Sequence, residues 1–114
     1  MAIQLFLNLN GLKYYGDIPE KPENPSGRVE EYALSSDDIE LFVEDIDSLD
    51  AACNALLDFG DVDYFDAEKC GKLREWIRKR LEQPVSERYR EILETLMGYC
   101  ERAIELNTGV VIEL

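Results

Sequence analysis

Five carboxylates crowd into DFGDVDYFDAE, residues 58 to 68: Asp58, Asp61, Asp63, Asp66 and Glu68, interleaved with Phe59, Tyr64 and Phe65. Acids at this spacing suit either a hard cation held by oxygens or acid/base work by one ionised and one protonated carboxyl. A calcium loop begun at Asp61 fails twice. It places Asp66 where a tight-turn glycine is required and Lys72 where a bidentate glutamate should close the site. A looser cation site built from Asp58, Asp61, Asp63 and Asp66, or a divalent-cation-dependent enzyme centred on residues 58–68, stays open as an alternative. The competing structural reading has Asp66 capping a helix while Tyr64 or Phe65 staples its first turn to the core.

The chain contains no histidine, which removes Ser-His-Asp and Cys-His nucleophile pairs, HExxH zinc sites and imidazole acid/base chemistry. Neither GxxxxGK[ST] nor GxGxxG occurs among its seven glycines, so no phosphate-cradling loop is present. The DVD at 61 to 63 resembles the DxD of sugar-nucleotide and phosphate-transferring enzymes, and the DFG at 58 to 60 resembles the kinase triplet. Neither is accompanied by the rest of its site, and 114 residues are too few for a kinase. The three cysteines, Cys53, Cys70 and Cys100, form no CxxC pair and fall on apolar helical faces, so buried reduced thiols are expected. These absences predict no catalytic residue, no cofactor and no specific Ca²⁺ or Zn²⁺ site.

The elements that would position these residues can be read from periodicity. AIQLFLNL alternates Ile3, Leu5, Leu7 and Leu9 with Gln4, Phe6 and Asn8, a strand pattern. Asn10-Gly11 is turn chemistry after which LKYY returns as a short partner strand. Three of the four prolines lie between Gly16 and Gly27, which marks an exposed loop. Ser35 or Ser36 caps a helix carrying Ile39, Phe42, Val43 and Ile46, although Leu41 breaks that face and residues 39–46 fit a strand as well. A second helix starts at Asp47 or Ser48, turns Leu49, Cys53, Leu56 and Leu57 to one side, and stops near Gly60. Asp66 caps a third, running to about residue 82, with Cys70, Leu73, Trp76, Ile77 and Leu81 inward. Ser86 caps the longest, 86–106, with Tyr89, Ile92, Leu93, Leu96, Cys100, Ala103 and Ile104 inward. VVIEL then supplies a last strand to pair with the first. The expected architecture is a single α+β domain over residues 1–114, with a small sheet from N-terminal strands plus the C-terminal strand, packed by three or four helices.

Charge is distributed unevenly along this frame. Residues 29–68 hold fourteen acids and no Lys or Arg, whereas the remaining residues, with eleven acids and twelve bases, are nearly neutral. The last two helices interleave their signs at i,i+4 spacing, as solvated faces do. A net charge of −13 disfavours DNA or RNA, because phosphates need positive potential on the docking face. No apolar run reaches the roughly 18 residues of a membrane span, and the first residues lack both a basic n-region and a small-residue cleavage site, which predicts a cytoplasmic protein without membrane contact.

The run DYFDAEKCGKLREWIRKRL, followed by a further helix and AIELNTGVVIEL, resembles small uncharacterised bacterial proteins, and the acidic, histidine-free profile is similar to immunity proteins of bacterial toxin systems. That resemblance implies a binding role and assigns no residue. One-signed acidity attracts basic partners and speeds their capture, while plain solubility explains the same charge. The leading expectation is therefore a small acidic binding protein, an immunity-type inhibitor masking a basic toxin or nuclease surface. Its contact residues would be Glu40, Phe42, Glu44, Asp58, Phe59, Asp61, Asp63, Tyr64 and Phe65. A nucleic-acid mimic that blocks a DNA-binding protein is a further alternative.

Overall fold

The computed structural model describes residues 1–114. Its central layer is an antiparallel sheet of β1 (Ala2–Phe6), β4 (Val29–Ala33), β5 (Val62–Asp66) and β6 (Gly109–Glu113), in the spatial order β4-β1-β6-β5. The first and last strands pair directly, Ile3 opposite Ile112 and Leu5 opposite Val110, as the sequence predicted. Ile3, Leu5, Phe65, Val110 and Ile112 face the helices and join one cluster of 22 buried residues. The alternate residues Phe6 and Val111 are also buried, which requires a cover on the second face. That cover comes from the proline-rich segment, whose small ribbon of β2 (Tyr14–Tyr15) and β3 (Ile18–Pro19) brings Ile18 and Pro19 beside Gln4, Val62 and Val111. Burial on both faces explains why β6 reads as an unbroken apolar run.

The helical layer contains α1 (Ser36–Glu40), α2 (Ile46–Cys53), α3 (Ala67–Arg80) and α4 (Glu87–Leu106). Asp66 caps α3 by accepting the Lys69 N–H, and Ser86 caps α4 by accepting that of Tyr89, both as expected. Cys70, Leu73 and Ile77 of α3 meet the buried stripe of α4 from Tyr89 to Ala103. All three cysteines are buried free thiols. Asn107, in the left-handed region, ends α4 and returns the chain to the sheet. Gly109 follows because a Cβ there would stand 2.4 Å from the Tyr64 ring. No helix is long and apolar enough to cross a membrane.

Several expectations are corrected. LKYY does not pair with β1: Tyr14 and Tyr15 pair with Pro19 and Ile18, and the place beside β1 belongs to β4. β4 and β5 escape the sequence reading because VEEYA and VDYFD put polar residues on both faces of an edge strand, which removes the period-2 signal. The expected helix over 36–46 is broken. α1 stops at Glu40, residues 41–45 turn, and α2 starts with Asp45 at its N-cap. The turn swings Phe42 into the core, edge-on to Tyr89 at 5.3 Å. α2 ends at Asn54, not near Gly60. Asn54 takes the left-handed conformation, and the Asp50 carboxylate holds the Leu57 N–H at 2.9 Å, so the chain leaves the helix at once. Leu57 is buried, but Leu56 is 85% exposed, not inward.

Candidate functional site

The carboxylates of residues 58–66 are occupied by backbone. Asp58 accepts the Phe59 N–H at 2.7 Å and Asp61 that of Val62 at 2.8 Å. Asp63 uses one oxygen for the Tyr64 N–H at 2.8 Å and the other for the Leu56 N–H at 3.0 Å. The DVD thus has a local cause. On β5 the amides of Val62 and Tyr64 point away from β6, and each is satisfied by the aspartate preceding it, which blunts this sheet edge. No group of three or more His, Cys, Asp or Glu residues converges as metal ligands. Calorimetric titration with Ca²⁺ should accordingly give at most a weak heat that vanishes in moderate salt; a stoichiometric micromolar heat would contradict this use of the carboxylates.

The fourteen acids that are segregated in sequence are divided in space. Five meet a base: Glu30 with Arg102, Glu31 with Lys21, Asp38 with Arg88, Asp45 with Arg80 and Glu68 with Lys72. Asp50, Asp58, Asp61, Asp63 and Asp66 serve backbone amides. Asp37, Glu40, Glu44 and Asp47 are exposed without such partners. The Arg88 guanidinium, and after it the Ser35 N–H, hold the Asp38 carboxyl well below the usual carboxylate range. Asp50 is shifted the other way, raised by burial and then by its neighbours Asp63, Asp47 and Asp58, against the lowering effect of the Leu57 N–H. Lys21, Arg80, Arg88 and Arg102 all come from outside the acidic segment, so long-range folding neutralises part of it.

The expected contact residues separate accordingly. Phe42 and Phe65 are fully buried and can meet no partner. Tyr64 is half-buried, its ring lying against Gly109. Glu40 and Glu44 are exposed and line a cleft with Val43, Arg80 and Val85. Asp58, Phe59 and Asp61 are exposed on the loop after α2, with Asp63 half-buried beneath it. These are two places, at opposite ends of a helix about 12 Å long. Sequence reasoning missed Leu56. Its signal was Asn54, a left-handed helix stop that frees the two following leucines to point differently.

No protein-family model matches the chain, and neither a curated protein nor a solved structure matches it significantly.

Proposed function

We propose that the protein is a small cytoplasmic binding protein that captures a basic protein partner, as an immunity-type inhibitor masks a toxin or nuclease surface. The observation that carries this reading is the loop 54–61, where Leu56 is 85% and Phe59 39% exposed. Leu56 is more exposed than any other large apolar side chain of the protein, and its backbone is pinned: the Asp50 carboxylate accepts the Leu57 N–H and that of Asp63 the Leu56 N–H. A pinned loop loses little freedom on docking. Asp58 and Asp61 beside the two anchors supply attraction to a basic surface. The division of labour is apolar residues for adhesion and carboxylates for steering. A nucleic-acid mimic is less well supported, because mimicry needs rows of free carboxylates and five of these fourteen acids are matched by bases.

The test is affinity capture with the wild-type chain, followed by kinetics on the recovered partner. Leu56→Ala and Phe59→Ala should each raise the dissociation rate, by about tenfold or more if they are central anchors. Asp58→Asn with Asp61→Asn should lower the association rate and flatten its salt dependence. Equal recovery and equal kinetics for all four substitutions would leave solubility as the explanation of the acidity.

A further inference from the structure

The two outer strands of the sheet end in opposite ways. Along β5 the outward amides of Val62 and Tyr64 are consumed by Asp61 and Asp63. Along β4 they are not. Just outside the β1–β4 ladder, Leu7 donates to the Arg28 carbonyl at 2.8 Å and Leu34 to the Met1 carbonyl at 2.9 Å. With Ile3 opposite Tyr32 and Leu5 opposite Glu30, this alternation turns Glu30 and Tyr32 toward β1, and Val29, Glu31 and Ala33 away from it. Val29 is satisfied through the Pro25 carbonyl at 2.9 Å, but the backbone groups of Glu31 and Ala33 are exposed and make no hydrogen bond. An edge strand whose N–H and C=O groups stay unpaired is a ready template for another strand.

We propose that β4 is a dimerisation edge, on which a second copy of this chain adds its own β4 to give one continuous sheet. The local charge favours a second copy despite the net −13 of each chain. Around this strand Glu30 is matched by Arg102 and Glu31 by Lys21, while Asp38 and Glu91 share Arg88, so ion pairing cancels most of the charge at this edge and lowers the repulsion between two copies. Like charges fix the register. A two-fold axis at Glu31 or at Glu30 would set that glutamate directly against its own copy, which is unfavourable. An axis at Ala33 escapes this too but pairs Glu31 with Ser35, outside β4. An axis at Tyr32 avoids both glutamate pairs and keeps the pairing within the strand. It places Glu31 opposite Ala33 of the second copy and Ala33 opposite Glu31, each pair exchanging both N–H to O=C bonds, with the two tyrosines as the closer, non-hydrogen-bonded pair. The contact is isologous, so it closes at two chains. It lies across the sheet from the 54–61 loop and does not depend on the binding role proposed for that loop.

Sedimentation of the full chain from about 10 μM to about 1 mM tests this. The expected result is a monomer–dimer equilibrium that strengthens with salt, as screening weakens the repulsion between two negative chains. Ala33→Pro deletes an outward amide that bonds nothing within the monomer, and should abolish the dimer while leaving far-ultraviolet circular dichroism unchanged. Should that variant fold poorly, the charge pair decides. Ala33→Lys, set against Glu31 of the second copy, should tighten the dimer by about 3- to 10-fold, and Ala33→Glu should loosen it by a similar factor. A monomer at all concentrations overturns the proposal, as do equal effects of Ala33→Lys and Ala33→Glu. So does a monomer whose Glu31 and Ala33 amides gain exchange protection only when an added extended basic peptide binds them.

Discussion

Replacing Phe42 or Phe65 by alanine should cost about 3–5 kcal/mol of folding stability each, the usual price of removing a fully buried aromatic ring. Both side chains have no exposed surface. Phe42 stands edge-on to Tyr89 at 5.3 Å, so its loss also removes an aromatic contact that ties the turn between α1 and α2 to α4. Phe65, opposite Val110, faces the helices from β5 and anchors the strand immediately before the Asp66 cap of α3. Domains of this size are stable by only about 5–15 kcal/mol, so either substitution removes a large share of the total. Leu56→Ala, on an almost fully exposed side chain, should stay within about 0.5 kcal/mol of wild type. Urea unfolding separates the two classes. A Phe42→Ala protein with the wild-type midpoint but weakened partner binding would return that ring to the surface and refute its placement.

The contrast between Phe42 and Leu56 indicates what the sequence could reveal. The two long helices were legible because each carries a capping residue, a 3.6-residue apolar period and a stop signal, and these agree with one another. The pairing of the first and last strands was legible because neither could bury an apolar face alone. The edge strands were not, since Val29–Ala33 and Val62–Asp66 owe their conformation to pairing with β1 and β6 and carry no alternation of their own. The sequence reading puts Phe42 both on an apolar helix face and among the partner contacts, and only the first agrees with its burial; it turns Leu56 inward, and Leu56 is exposed. The turn between α1 and α2 is held by bonds that Asp38 and Asp45 accept from Arg88, Arg80 and Tyr89, 35 to 50 residues away, while α2 stops at left-handed Asn54. Charge segregation along the chain was real as sequence, but its meaning changed once those bases closed on it.

The same long-range contacts set the pH dependence. Asp38 accepts two bonds from the Arg88 guanidinium, at 2.9 and 2.8 Å, and completes a reciprocal cap with Ser35, so one carboxylate fastens α1 to the start of α4. Arg88 also donates to the Tyr32 hydroxyl at 2.8 Å and lies over that ring, which brings β4 into the same junction. The Asp38 side chain is 9% exposed and that of Arg88 42%, so solvent screens the guanidinium and Asp38→Asn should cost about 1–2 kcal/mol at neutral pH, below the worth of a fully buried pair. Because its folded-state pKa is depressed, Asp38 gives its full contribution above the ordinary carboxylate range of about 4 and loses it as the pH falls further. Asp50 has the opposite sign. Its pKa is raised, so the folded protein takes up this proton before the unfolded chain does, and stability from this residue increases as the pH descends toward the carboxylate range. Asn at position 50 can still accept the Leu57 N–H without the charge. Wild-type stability should therefore rise on moderate acidification and then fall more steeply. Asp50→Asn should flatten the rise and be the more stable protein at pH 7, whereas Asp38→Asn should keep the rise and weaken the fall. Thermal midpoints across the acid range read both slopes in one experiment. Parallel curves for the two variants would mean that general repulsion among the acids, not these two carboxyls in opposite environments, governs the response to pH.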